Sequence, residues 1–398
     1  MNSTLSLILV LSVLYPSQVV ATPISAAEVV RLARAQDPAA RSARTAVALA
    51  EAERIEAGLY PNPSLEWERE HLGEESLLLS LPIDLSGARA AREHLAGVDL
   101  AGAKADAALV TSGVVVRALT VFYQLMGHQR REAIEAQALE RLSEAARVVR
   151  RRREEGSVSG YDQSRIELEE ELAASALRQT QAGAERLRGE LASLLGRVAS
   201  EVEFVGSLKA DTDLVLQSTE KSDQESRSSQ RFLHSAVESA GAARRAASWS
   251  WLPGLVLSGG PLLSNVQRER EGYKVEVALE VPLFSRGQEL RARADARQRQ
   301  AQARVEAGSR AGHRERSLAR FRLVSAREEM QRFAETTGER IERLERAARS
   351  GYREGALSLV ELLDVQRTRT QLELRQLELS LALKEAEVAL RAARGDYE

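Results

Sequence analysis

The sequence predicts a mainly α fold with a small β part, built from one unit used twice, and three observations carry that reading. The first is a repeat that keeps its register through strand, turn and long helix. Pro82 and Gly87 in LPIDLSGARAAR recur as Pro282 and Gly287 in VPLFSRGQELRAR, an offset of 200 (282−82). Gly156 and Gly196 recur as Gly355 and Gly395, an offset of 199 (355−156). A period this long is not that of a solenoid; it marks a duplicated half-molecule. The second observation is the proline map. A helix interior excludes proline at a cost of roughly 3 kcal/mol, and after Pro38 every proline falls in one of two windows, Pro61 to Pro82 and Pro253 to Pro282. The third is composition: across 398 residues, 4% aromatic with 29% charged residues suits long solvated helices better than several compact cores.

Taken in order, Leu5 to Leu14 is nearly all apolar, too short to span a bilayer, and is followed by Val19, Val20 and Ala21 ahead of Thr22. Residues 1–21 read as a secretory signal peptide. No Lys or Arg precedes the apolar stretch, which leaves a misplaced start as the other reading. The first repeat, residues 22–200, comprises a helix, a β-hairpin at about 63–85 and a long helical hairpin at 88–196. In that β-hairpin Leu65 and Trp67 alternate with Glu66, Glu68 and Glu70, a turn falls around Gly73, and Leu77 to Leu85 returns. Ala88 to Arg153 is 66 residues without proline (153−88+1), which as a helix reaches roughly 100 Å. EEGSVSGYD breaks it at Gly156, and a helix of about 40 residues runs back to Gly196.

A linker or equatorial segment at 201–230 leads to the second repeat, residues 231–395, with a helix, a β-hairpin at about 253–284 and a helical hairpin at 288–395. Tyr273, Val275, Val277, Leu279 and Val281 alternate with Lys274, Glu276, Ala278, Glu280 and Pro282, the pattern of a strand with one apolar face. Its expected partner is Leu255 to Ser258, across a Gly-rich connection from Gly259 to Gly272. Gln288 to Arg353 is a second proline-free stretch of 66 residues (353−288+1), broken by REGALSLVE at Gly355.

Strands of about 9 to 11 residues with one apolar and one charged face are what a transmembrane barrel needs. A sheet packed on a helix would show the same alternation. The helices decide between them, because they run away from the hairpins for too long to cover them. Four strands cannot close a barrel, and open edges are not tolerated in lipid, so the chain must assemble with copies of itself. Two copies give eight strands (2×4), whose interior fills with side chains; three give twelve (3×4) and leave a lumen. Glu66, Glu68, Glu70, Glu276 and Glu280 suit a wet interior. The simplest reading is a homotrimer enclosing an acidic-lined channel that continues as a helical tube.

Other functions lose support on composition. A formal net charge of −2 gives no electrostatic case for nucleic acid. The absence of cysteine removes disulfides, thiolate metal sites, cysteine nucleophiles and a lipidated N-terminal cysteine. The five histidines, His71, His94, His128, His234 and His313, show no ligand spacing, so no metal site is expected. Nor is a cofactor expected, and without a phosphate loop or a carboxylate pocket outside the pore the chain does not read as an enzyme. No segment after the N-terminus is expected to form a transmembrane helix. The competing class is a periplasmic coiled-coil adaptor or scaffold without a channel, equally helical and exported, which would not need two amphipathic hairpins.

The passages AAEVVRLARAQDPAARSARTAVALAEAERIEAGLYPNPSLEW, LPIDLSGARAAR, VPLFSRGQ and GYREGALSLVELLDVQRTRT resemble TolC-type outer-membrane efflux proteins, especially the cobalt-zinc-cadmium branch that serves heavy-metal RND pumps. The resemblance runs from about Ser25 to Gly395. It implies a trimer with a 12-stranded outer-membrane β-barrel and a periplasmic α-barrel, acting as a passive exit duct for a periplasmic adaptor and an inner-membrane pump. It also implies a constriction of acidic residues at the periplasmic tip. EGALSLVELLD puts Glu361 and Asp364 at the matching positions, giving six carboxylates per trimer (2×3). Like charges so placed repel, favour a bound cation and raise pKa values; the plain alternative is that both are solvated acids of an early helix turn. Tyr352, Asp162 and Arg353 lie where the family's tip links hold the channel closed, although GSVSGYDQS departs from the commoner pattern. Gly156 and Gly355 are read as helix-turn glycines, and Trp67, Trp249 and Trp251 as an interfacial girdle or as packed core.

Overall fold

The structure is a computed structural model and describes residues 22–69, 74–84, 88–211, 227–248, 254–264, 272–281, 283–284 and 286–397. The expected signal peptide, the turn around Gly73, Glu70, Trp249 and Trp251 lie outside the described residues. In chain order the elements are β1 (Thr22–Ile24), α1 (Ala26–Gln36), α2 (Pro38–Gly58), β2 (Ser64–Arg69), β3 (Glu74–Ile83), α3 (Ala88–Glu154), α4 (Gly160–Leu194), β4 (Val202–Phe204), α5 (Arg227–Ser248), β5 (Gly254–Ser264), β6 (Gly272–Glu280), α6 (Gln288–Arg353) and α7 (Leu359–Arg394). The predicted fold class, mainly α with a small β part, is borne out.

The two long helices, of 67 and 66 residues, end in the same device. Gly156 and Gly355 adopt φ of 73° and 76°, a left-handed conformation in which any side chain is strained. Three residues later a serine caps the returning helix: Ser159 accepts the Asp162 N–H, and Ser358 accepts the Glu361 N–H. The returning helices are 35 and 36 residues long. The first repeat also has a break that its sequence pattern did not suggest. Asp37 accepts the N–H groups of Ala39 and Ala40, and with Pro38 at the first helical position it separates α1 from α2.

The main sheet is antiparallel throughout, in the order β2-β3-β5-β6. Strand β5 continues to Ser264, so Gly259 to Ser264, expected in the connection, is strand instead. The reason is local. A Cβ on Gly260 would fall 1.8 Å from the Leu77 carbonyl oxygen, so only glycine lets β3 pass there. Pairing skips Gly260 and Pro261 and resumes in register, with Leu79 opposite Gly259 and Ser76 opposite Leu262.

Helix packing follows the order of the strands. Helices α2 and α4 pack on α3, α3 packs on α5 and α7, and α5 and α7 pack on α6. The protomer is therefore a strip of four columns: β2 with α2 and α4, β3 with α3, β5 with α5 and α7, and β6 with α6. Its two long edges, β2/α2/α4 and β6/α6, have no partner column among the described residues.

Across the middle of the strip lie α1 and the parallel pair β1 and β4, a small sheet that the sequence did not announce. They cover a core of Val29 and Leu32 from α1, Val115, Phe122 and Leu125 from α3, Leu191 from α4 and Phe204 from β4. This core explains a departure from expectation. Helix α3 does contain a stretch apolar enough by composition to cross a membrane, with mean hydropathy 1.6. Part of that apolarity goes into packing: Phe122 and Leu125 are fully buried here, at about 1.5–3 kcal/mol for each such side chain.

Candidate functional site

The period of two along each strand divides the sheet into unlike faces. One face carries Leu65, Trp67, Leu81, Leu257, Tyr273, Val275 and Val277, all exposed, with Tyr273 at 88% and Val275 at 73%. Among the described residues no helix covers it, and a continuous apolar patch of this kind marks contact with lipid or protein.

The other face gathers most of the sheet's polar residues, with Leu78, Val256 and Leu262 interspersed. Register places Ser64, Ser80, Ser258 and Glu276 in one row across all four strands, and the Ser80 and Ser258 hydroxyls are 2.8 Å apart. Glu66 and Glu68 share this face with Glu276, and all three are exposed. Glu280 has the same parity, but its side chain lies outside the described residues. Lys274 on β6 reaches Glu68 on β2 with Nζ 2.9 Å from Oε2. Those strands are the two edges, about 14 Å apart in a flat sheet, so the sheet curls with its polar face inside. Sequence reasoning expected an acidic lining; Lys274 offsets part of it.

At the other end of the strip, Glu361 is the third residue of α7 and half of a capping box. Its carboxylate accepts the Ser358 backbone N–H at 2.7 Å and the Ser358 hydroxyl at 2.8 Å. The backbone hydrogen bond, with the hydroxyl second, holds the carboxyl below the usual carboxylate range. Within the protomer this is the reverse of the rise expected from like charges, because donors rather than carboxylates surround it. Asp364, one turn on, is exposed. Both acids line a groove of about 500 Å³ with Arg165 of α4 and Arg367 of α7, over Leu344 and Val360. Arg367 also pairs with Glu169 of α4.

Tyr352, at the end of α6, is 7% exposed and packs with Val149, Ile166, Leu359 and Leu363. The Arg152 guanidinium lies 4.9 Å above its ring and donates to its carbonyl oxygen at 3.4 Å. Burial raises the Tyr352 phenol above its ordinary pKa; Arg152 opposes the rise and the charge of Asp162 adds to it. The structure thus brings Tyr352 and Asp162 within electrostatic reach, while the Arg353 side chain lies outside the described residues. Sequence reasoning missed Arg152. Its signal was the run from Arg150 to Arg153, which is too uniform to single out one member. Among the described residues no group of three or more His, Asp or Glu is arranged to hold a metal ion.

The chain thus presents an apolar-faced sheet above paired helices of about 100 Å, in a strip with two open edges. Residues 231–396, which hold the second repeat, match the family described as outer membrane efflux protein. The resemblance read from the sequence is thereby borne out. No curated protein matches the sequence significantly. Among solved structures, the chain is similar to the outer-membrane channel OprN, with 19% identity, a TM-score of 0.76, and coverage of 93% of this chain and 89% of that one. VceC, an outer membrane protein of Vibrio cholerae, gives 15% identity and a TM-score of 0.78 over 93% and 96% of the two chains. CusC, a protein that forms a transmembrane channel, gives 18% identity and a TM-score of 0.75 over 93% and 92%. The fold is that of outer-membrane channel proteins along nearly the whole chain.

Proposed function

We propose that the chain is the outer-membrane exit duct of a tripartite RND-type efflux system, a homotrimer that conducts its cargo passively from a periplasmic adaptor and an inner-membrane pump to the outside. The observation that carries this reading is the exposed apolar sheet face together with the two unpaired edges. In lipid an unpaired strand edge is prohibitive, and pairing β6 of one copy with β2 of the next removes every edge when the ring closes. Three copies supply 12 strands (3×4). The same operation sets α6 beside the next copy's α2 and α4. On α4, Tyr161, Leu168 and Leu172 are 64–67% exposed and recur at intervals of seven and four, the spacing of a helix seam. An adaptor or scaffold without a channel would have no use for the apolar sheet.

The finer parts of the reading rest on the family resemblance. They are a heavy-metal cation as cargo, export through residues 1–21, a gate of Glu361 and Asp364, and tip links formed by Tyr352, Asp162 and Arg353, to which we add Arg152. Planar-bilayer recording of the purified protein tests both levels. A stable conductance from a heat-modifiable outer-membrane trimer is expected, and release as a soluble protein by osmotic shock would refute the duct. Replacing Glu361 and Asp364 with Ala is expected to change unit conductance and block by divalent cations. Unaltered traces would remove the gate assignment.

A further inference from the structure

We infer that the helical wall just below the sheet holds an anion site, a groove between α3, α5 and α6 that takes a small amphipathic organic anion. The inference rests on the trimeric duct for its setting. The groove has a volume of about 400 Å³ and is lined by Leu95, Val98 and Gly102 of α3, Phe232 and Ala240 of α5, and Arg297 and Arg304 of α6. That volume falls within the range of small-molecule sites, which are typically apolar with a few placed polar groups.

Like most arginines on this stretch of α6, Arg297 and Arg304 have no acid within 4 Å among the described residues. On the same stretch of α6, Arg310 meets Glu306 at 2.8 Å, and Asp295 meets Arg244 of α5 at 2.9 Å. Asp99, the acid of the groove, accepts the Ser239 hydroxyl at 2.5 Å and keeps its charge, so two guanidiniums face one carboxylate there. Residues 288–327 of α6 hold eleven arginines and four acids, a balance of +7 (11−4). Arg297 and Arg304 are seven residues apart, about 10.5 Å along the helix and on one face, close enough for two long side chains to converge on one ligand. Apolar walls beside two guanidiniums that outnumber the one carboxylate of the groove favour an anion with an apolar body, its carboxylate or sulfonate taking charge-assisted hydrogen bonds.

The groove lies off the side of α3 that α1, β1 and β4 cover, and in the proposed trimer we assign it to the inside of the tube. Elements α1, β1 and β4 cover α3 on the side of Val115 and Phe122. Carried back along the helix in steps of seven, that side falls at Ala101. At about 100° per residue, Leu95, Val98, Asp99 and Gly102 lie roughly 60–160° round from it. Three copies would set six guanidiniums (2×3) around the lumen, between the acids of the sheet and those of the tip. A bare metal cation would be repelled at this height, whereas an anionic complex would not.

Equilibrium dialysis of radiolabelled taurocholate against the full-length protein in neutral detergent tests the site, with taurocholate block of single channels as a second readout. The wild-type chain is expected to bind, and the Arg297→Gln/Arg304→Gln variant to bind about tenfold more weakly, with tetrabutylammonium block unchanged. Arg310→Gln, outside the groove, should bind as wild type. Equal taurocholate binding by wild type and the double variant would overturn the site whatever the conductance. Binding that depends on Arg297 and Arg304 in a protein that never conducts would uphold the site and sink the duct.

Discussion

Glu387 offers the sharpest test of how the middle of the strip is held. It is 3% exposed on α7, and its carboxylate receives Lys384 Nζ at 2.8 Å, the Asp211 backbone N–H at 3.0 Å and Arg391 Nη2 at 3.0 Å. Lys384 also donates to the Lys209 carbonyl oxygen at 3.3 Å and lies 5.1 Å over the Tyr123 ring of α3. One carboxylate therefore ties α7 to the segment after β4. In Glu387→Leu, Lys384, whose side chain is 10% exposed, keeps a buried charge without its counter-ion. Removing one partner of a buried pair costs about 3–5 kcal/mol. Arg391 is one-third exposed and rehydrates, so its share is small. With an unfolding entropy of about 2.1 cal/mol/K per residue, 398 residues give about 0.8 kcal/mol/K, so the expected fall in Tm is about 4–6 °C. Circular dichroism melts at one scan rate in one detergent read this directly. Lys384→Met combined with Glu387→Leu should recover most of the loss, because an apolar pair of similar volume is neutral or better. A single variant melting with the parent, or a double variant as poor as the single, would show that charge compensation is not what holds this joint.

Two further outcomes are expected. Val277→Arg, on the apolar face of β6, should cost about 2–4 kcal/mol near the bilayer centre and deplete the heat-modifiable trimer, while Glu276→Arg, one residue away on the polar face, should leave trimer yield unchanged; equal yields would contradict the assignment of faces. Burial, opposed by Arg391, pushes the Tyr397 phenol up to about 12; because the folded pKa exceeds the unfolded value of about 10, this contribution is complete below pH 10 and fades as pH rises through 12, so Tyr397→Phe should flatten the alkaline limb of a Tm-against-pH curve between pH 9 and 11.5, and two parallel limbs would refute it.

Much of the architecture was legible because helix and strand interiors leave one-dimensional marks. Proline-free stretches fixed α3 and α6, and strict alternation fixed β6. What escaped were features made by contacts distant in sequence. Strand β5 passes Gly260 and Pro261 because Gly260 sits against Leu77, some 180 residues earlier (260−77=183), and nothing local says so. The pair β1 and β4 consists of two three-residue strands whose registry exists only once α1 has docked on α3. At the tip the residue types were readable but their partners were not: Arg152 meets Tyr352 across 200 residues. Family resemblance pointed to Glu361 and Asp364 as a like pair, whereas the capping box shows that the first of them already has a structural task.

That task bears on where a gate can be. With the offset of 199, Ser358 aligns with Ser159 and Glu361 with Asp162 (361−162); in both repeats the serine accepts the acid's backbone N–H and donates its hydroxyl to the acid's carboxylate, at 2.6 Å for Asp162, while only Glu361 also accepts the serine's backbone N–H. A feature kept in both copies of a duplicated unit is explained by what both copies need, which is a closed helix end. Asp364 aligns with Arg165 (364−165), and there the repeats carry opposite charge in the same groove. In a trimer this gives three acids alternating with three arginines (1×3 of each) at one height, an arrangement that a second acidic repeat would not produce. A change at Glu361 mixes loss of the cap with loss of charge, whereas Asp364→Asn removes charge and leaves the cap intact. If the tip discriminates by charge, Asp364→Asn alone must reproduce the altered cation block of the double variant. If only Glu361→Ala does so, the effect belongs to a frayed helix end, and the acidic ring has no separate role.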